Sequence, residues 1–364
     1  MIKVNDGKIR KRELIGILIF LFAIQVMNTT PDLLFKLGKN AAWMIPIISF
    51  LFMLIPFLIL LTIVKRRNTG LAELVYMLLG KRIGSFIMLL LFIIIFSATV
   101  INSRSYADIF NTMFYPKTPI PYLYIMLIGA SFYIAKRGLE NIGRTAWLFT
   151  PIFSLLMFAL IIFIWEDISF NRIFPIAGPG LGTILKESVV HSSVYGESIL
   201  LFALYPFIQT HKDMRVGALF GWVISVISLA LFMIIYVAVF DFPASQNIAY
   251  PFQQLSRMAT IGTISHLESI YLAIATVASA VHFSIYLYLS AYFLSKMLQL
   301  KEYEPLMLPL AGLTVLFGMI SPNIFVGNTL REALVQSSSI ILLLFPFVLW
   351  IVDRRKGRSK NETA

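Results

Sequence analysis

Ten apolar runs, each about as long as a helix must be to cross a bilayer, leave this sequence few folds to choose from. They cover roughly 13–36, 41–64, 83–113, 120–136, 143–165, 183–210, 214–240, 265–297, 305–321 and 333–352. Backbone in hydrocarbon must satisfy its own hydrogen bonds, and runs of this length do so as helices. The expected fold is an all-α polytopic membrane protein with ten transmembrane helices. Composition agrees, since 59% of the 364 residues are hydrophobic and only 13% are charged, too few to cover a soluble surface. The first run ends in polar residues and lacks a small-x-small site, so it reads as a retained helix, not a cleaved leader.

Membrane topology accounts for the net charge of +12. Lys and Arg gather in the N-terminal tail, in the loops after the second, fourth, sixth and eighth runs, and in the C-terminal tail. The opposite loops hold few, Arg331 before the tenth run among them. Cytoplasmic loops are enriched in these residues, which makes both termini cytoplasmic. The basic clusters are short and separated by apolar runs, so the lipid bilayer is the expected partner and nucleic acid is not.

Two runs are interrupted at matching places. The first meets Gln25-Val26-Met27-Asn28-Thr29-Thr30-Pro31, where the proline removes an amide donor and obstructs the preceding turn. The sixth meets His191-Ser192-Ser193-Val194-Tyr195-Gly196-Glu197-Ser198, with a carboxylate at membrane depth. Such paired interruptions point to a transporter with inverted repeats. The organisation read from them is a tail at 1–12, a first five-helix repeat at 13–165, an extracytoplasmic loop at 166–182, a second repeat at 183–352 and a tail at 353–364. Amphipathic stretches at Leu71–Leu79 before Gly80, and at Tyr250–Ile261 before Gly262, occupy equivalent positions in the two halves. Five helices per repeat put them on opposite sides of the membrane.

A broken helix exposes amides and a positive dipole end, which suit a ligand carboxylate, while unwound carbonyls and a buried acid suit an ammonium group or a cation. The candidate ligand-binding residues are accordingly Gln25, Asn28, Thr29 and Thr30 at the first break, and Ser192, Ser193, Tyr195, Gly196 and Glu197 at the second. Tyr106 on the third run can cover a ligand, and Ser279, His282 and Tyr286 form one helical stripe on the eighth. Glu197 has three readings: partner of a ligand or cation, proton carrier, or structural acid. The hydroxyls can instead bond back to their own helices. Arg104 and Asp108, four apart, are expected to pair.

Other chemistry finds little support. The sequence has no cysteine, which removes disulfides, thiolate metal sites and thiol nucleophiles. His282 has no second His beside it, so no metal is expected. Gly178-Pro179-Gly180-Leu181-Gly182 lacks the Lys-Ser/Thr ending of a phosphate loop. No Ser/His/Asp arrangement sits in a hydrolase context. The chain is expected not to be an enzyme and to need no cofactor, beyond a coupling ion such as H⁺ or Na⁺.

Several loop motifs resemble those of the spore germination permeases, the B subunits of bacterial spore germinant receptors, in the amino acid–polyamine–organocation superfamily. They are Leu71-Ala-Glu-Leu-Val-Tyr-Met-Leu-Leu-Gly-Lys-Arg-Ile-Gly84, Pro116-Lys-Thr-Pro119, Arg137-Gly-Leu-Glu-Asn-Ile-Gly-Arg144, Phe174-Pro175 with Gly182, Gly196-Glu197 with Pro206-Phe207, and Tyr250-Pro251 with Arg257. The resemblance implies a leucine-transporter-type fold with 5+5 inverted repeats, in which helices 1 and 6 are discontinuous around a midplane site. It also implies small nutrients, mostly amino acids, as ligands, A and C receptor subunits as hetero-oligomeric partners, and the inner membrane of the spore as location. Two departures stand out. The first break carries no glycine, where relatives in the superfamily bring backbone close to substrate, and His266-Leu267-Glu268 stands where the family tends to show Arg-Leu-Asp. The expected function is a nutrient-sensing receptor subunit, with an H⁺- or Na⁺-coupled amino-acid transporter or a non-binding scaffold subunit as alternatives.

Overall fold

The computed structural model describes residues 7–242, 248, 250–259, 268–321 and 324–361. Helix α1 (Lys11–Phe22) tightens into a 3₁₀ turn (Ala23–Met27), stops at Asn28-Thr29 and resumes as α2 (Thr30–Gly38). The two parts meet at a bend of 64°. Pro31 explains the break, because its ring fits the first turn of a new helix but not the interior of an old one. Helix α3 (Met44–Arg67) returns across the bundle, and α4 (Leu71–Met113) joins the amphipathic stretch to the third run. The joint is Gly80, whose φ of 76° and ψ of 179° belong to a region essentially reserved for glycine. Helices α5 (Ile120–Lys136) and α6 (Leu139–Phe163) follow.

The sixth run is built from short pieces: α7 (Leu181–Val190), a 3₁₀ turn (Ser192–Tyr195), α8 (Glu197–Leu200) and a longer 3₁₀ stretch (Leu201–Phe207). After its polar break it does not resume as a regular α-helix, because Pro206 supplies no amide to an α ladder. Then come α9 (His211–Phe240), α10 (Pro251–Met258), α11 (Glu268–Met297), α12 (Glu304–Gly318) and α13 (Ile324–Asn361). Among the described residues, six helices are long and apolar enough to cross a membrane, the bent pair makes a seventh, and α5 and α12 are shorter apolar helices. Helix α10 is the described part of the second amphipathic stretch; its end with Gly262, the expected start of the eighth run from 265, and His266-Leu267 lie outside the described residues. Helix α13 corrects the tenth run: it begins at Ile324 instead of 333, which takes Arg331 out of a loop and into a helix.

The interrupted segments are enclosed by their neighbours. Helix α1 packs on α9 and α6, α11 on α4 and α5, and α13 on α4 and α3. Small residues allow the closest approach: a Cβ on Gly221 of α9 would lie 2.9 Å from the Cβ of Leu18, and one on Gly16 of α1 would lie 2.7 Å from the backbone nitrogen of Trp147. The outer surface is apolar, with Phe86, Met126, Leu155, Phe158, Phe220 and Ile340 exposed as lipid-facing side chains require. At one end, the Ile9 amide donates to the Phe207 carbonyl at 2.9 Å and the Gln209 amide returns a bond to Ile9. Arg66 and Arg67 of α3 pair with the fully buried Asp353 of α13 at that same end.

Candidate functional site

Unwinding a helix strands carbonyls that hydrocarbon cannot solvate, so each needs a donor from elsewhere. Three different elements supply them to the first break. His282 of α11 reaches the Phe20 carbonyl through Nδ1 at 2.7 Å, the Tyr106 hydroxyl of α4 donates to Ile24 at 3.0 Å, and Gln253 of α10 donates to Met27 at 3.0 Å. A carbonyl can only accept, so His282 Nδ1 carries the hydrogen, and in the neutral ring Nε2 is then an acceptor. The Gln25 side-chain amide donates to the Val194 carbonyl at 3.0 Å and ties one break to the other.

The break amides are mostly occupied. Thr30 N–H donates to Asn28 Oδ1 at 2.7 Å, Ser193 N–H to Ser339 Oγ at 2.8 Å, and Gly196 N–H to the Ser193 carbonyl at 2.8 Å. The open backbone donors expected for a ligand carboxylate are therefore largely turned inward.

Between the breaks lies a cavity of about 40 Å³, room for a few waters. Its polar lining is Gln25, Asn28, Asn102, Ser193, Glu197, His282, Tyr286, Ser338 and Arg331, and Ile94, Ile95, Ala98, Leu200 and Leu342 are among its apolar walls. Tyr286 donates to Glu197 Oε1 at 2.6 Å. Glu197 Oε2, His282 Nε2 and Asn102 Oδ1 are buried without a hydrogen-bond partner among the described residues. Arg331, 8% exposed, donates from Nη1 to Thr29 Oγ1 and to Asn28 Oδ1, the latter at 3.4 Å, and from Nη2 to Thr30 Oγ1.

Six of the sequence candidates thus share one cavity: Gln25, Asn28, Ser193, Glu197, His282 and Tyr286. Thr29 and Thr30 sit just behind it as partners of Arg331. The others do different work. Tyr106 caps the Ile24 carbonyl and packs edge-on to Phe283, and Ser279 bonds within its own helix to Thr276. Tyr195 is wedged between Phe22 and Trp222. Ser192 is fully buried outside the lining, and a Cβ on Gly196 would meet Leu342 at 2.6 Å, so this glycine admits α13 to close contact. The Arg104–Asp108 pair forms as expected, at 3.0 Å.

Sequence reasoning missed Arg331 and Asn102. Arg331 was hidden by assigning it to a loop. A signal existed: Arg331, Leu334, Val335, Ser338 and Leu342 recur at helical spacing, and all five line the cavity.

A family model described as spore germination protein matches residues 9–324. Spore germination protein KB of Bacillus subtilis (strain 168) is 24% identical over 281 residues, covering 72% of this chain and 73% of that protein. Spore germination protein A2 of the same strain is also 24% identical, over 347 residues, covering 94% of this chain and 92% of the relative. Among solved structures, a manganese transporter mutant from Eremococcus coleocola superposes with a TM-score of 0.62 at 16% identity, covering 95% of this chain and 78% of that one. That likeness concerns the fold alone. Among the described residues no group of three or more His, Asp or Glu is placed to hold a metal ion.

Proposed function

The chain belongs to the spore germination protein family, and from that premise we propose that it is the membrane subunit of a germinant receptor, binding a small nutrient of the amino-acid class in the cavity between its two broken segments. The observation that carries this reading is the polarity of that cavity. It lies at the centre of an apolar bundle, yet it keeps Glu197 Oε2 and His282 Nε2 without partners among the described residues. Buried polar groups left in this way await a partner, because each costs free energy when unsatisfied.

At about 40 Å³ the cavity has room for water but not for an amino acid. A nutrient enters only if the breaks move apart, and binding then selects between a closed and an opened arrangement. Segments one and six are, in this reading, the parts that separate, and opening breaks the hydrogen bond by which Gln25 joins Val194. In this reading the altered arrangement passes to A and C receptor subunits in the inner membrane of the spore, with ten crossings and both termini in the cytoplasm. A second reading is an amino-acid transporter coupled to H⁺ or Na⁺. It is favoured by the transporter-like fold and by Glu197, whose free oxygen suits an exchangeable proton or cation.

Ligand-dependent thermal unfolding of the purified full-length protein tests the proposal, because a ligand that binds only the folded state raises its apparent stability. Saturable stabilisation by one or a few amino acids is expected, together with weaker stabilisation in Glu197→Gln. No response to amino acids, sugars or nucleosides would leave the scaffold reading in its place. Uptake of the stabilising compound into proteoliposomes would move the conclusion to transport.

A further inference from the structure

Arg331 is a buried guanidinium whose direct partners among the described residues are all neutral: Asn28, Thr29 and Thr30. Among the described residues no carboxylate lies within ion-pair distance of it, and Asp32 and Glu197 act on it only through space. Its position is electrostatically odd. Thr29 and Thr30 stand at the N-terminus of α2, the positive end of that half-helix, where a cation is disfavoured and an anion is favoured. A fold that merely needed to fill this space would do better with a neutral side chain, since a buried charge is costly unless it is paired.

The surroundings leave room for a counterpart. Among the described residues, Arg331 is the one common to the lining of the inner cavity and to that of a second hollow of about 190 Å³ between α4, α12 and α13, which includes Arg104, Ser105 and Asp108. The guanidinium therefore borders both spaces. Glu197, with its free Oε2, belongs to the inner cavity alone.

We propose that Arg331 recognises the carboxylate of the bound nutrient, which displaces the Thr29 and Thr30 hydroxyls from its two Nη groups while Glu197 receives the ligand's ammonium. The inference rests on the nutrient-binding reading above and narrows it to a zwitterion. A planar guanidinium presents parallel N–H donors that match the two oxygens of a carboxylate. It also accounts for a first break without glycine: when a side chain from α13 holds the carboxylate, the backbone of segment one has no need to approach it. Sugars and nucleosides lack the group that Arg331 is set to bind.

The test uses the full-length protein in detergent and thermal unfolding with each standard L-amino acid. Every stabilising compound is compared with its own C-terminal amide, which keeps the ammonium and side chain but loses the negative charge. The amide should bind weaker by on the order of 10- to 100-fold, the range of a lost charge-assisted hydrogen bond. Arg331→Gln should abolish the difference between acid and amide, and Arg331→Lys should retain part of it. Equal binding of acid and amide by the unaltered protein overturns the proposal, as does discrimination that survives in Arg331→Gln. If Arg331→Gln does not fold, the acid–amide comparison on the unaltered protein decides alone. Stabilisation by a sugar or nucleoside with none by amino acids overturns the role of Arg331 but leaves nutrient binding standing. No stabilisation by any class removes the nutrient-binding reading, and the assignment of Arg331 with it.

Discussion

Tyr106, His282 and Gln253 have one task in common, which is to donate to a carbonyl that segment one strands by unwinding. Sequence reasoning picked Tyr106 as a cover for the ligand, since an aromatic ring with a hydroxyl suits that work. The structure turns its hydroxyl onto Ile24 instead, because an orphaned carbonyl in an apolar core is costly. Tyr106→Phe keeps the ring and removes only the donor, so it should lower stability by about 1–3 kcal/mol. Ser279→Ala should change it little, because among the described residues that hydroxyl bonds only to Thr276 on its own helix. Chemical unfolding of the two variants in detergent separates them, and equal stabilities would show that the Ile24 carbonyl needs no cap.

Among the elements, α4 and α13 show how local sequence can mislead about where a helix begins. Helix α4 joins an amphipathic stretch to a membrane run through Gly80. A Cβ built at Gly80 meets nothing within 4 Å, so crowding is no obstacle to a larger residue there. Backbone strain is, and Gly80→Ala should cost about 1–3 kcal/mol, or else straighten the joint and shift the amphipathic stretch. Thermal unfolding measures the first outcome, and altered protease access to the 71–79 stretch reports the second; an unaltered melting curve with unaltered cleavage would count against the strain argument. Helix α13 begins well before its apolar run, since Gly327, Asn328, Thr329, Arg331 and Glu332 look like loop residues when counted for hydropathy. The helical spacing of Arg331 with Ser338 and Leu342 was legible, but the burial of Arg331 was not, because α3 and α4, which cover α13, lie more than two hundred residues earlier in the chain.

At the scale of the whole molecule, two ion pairs toward the basic end of the bundle differ in burial. Asp353 is fully buried between Arg66 and Arg67 and joins α13 to α3, whereas Glu140 and Arg144 form an exposed pair within α6. Arg66 and Arg67 are partly exposed and stay solvated when the carboxylate is removed, so Asp353→Asn loses mainly its charge-assisted hydrogen bonds and should cost about 1.5–3 kcal/mol. Glu140→Gln should cost under about 1 kcal/mol, as exposed pairs do. Unfolding of both variants checks the ranking, and equal losses would mean that the α3–α13 contact is not a tie. The sequence by itself determined that this chain lives in a bilayer, that it is all helix, and that its first and sixth segments are broken. Those properties follow from windows of about 20 residues, because hydrocarbon imposes its demands on each segment separately. Only the tertiary structure decided which polar groups share a cavity and which cap backbone. It brought Arg331 against Thr30, 301 residues away, and Tyr286 against Glu197, 89 residues away. Distances between segments are set by lateral packing of whole helices, to which the local pattern of any one segment is blind.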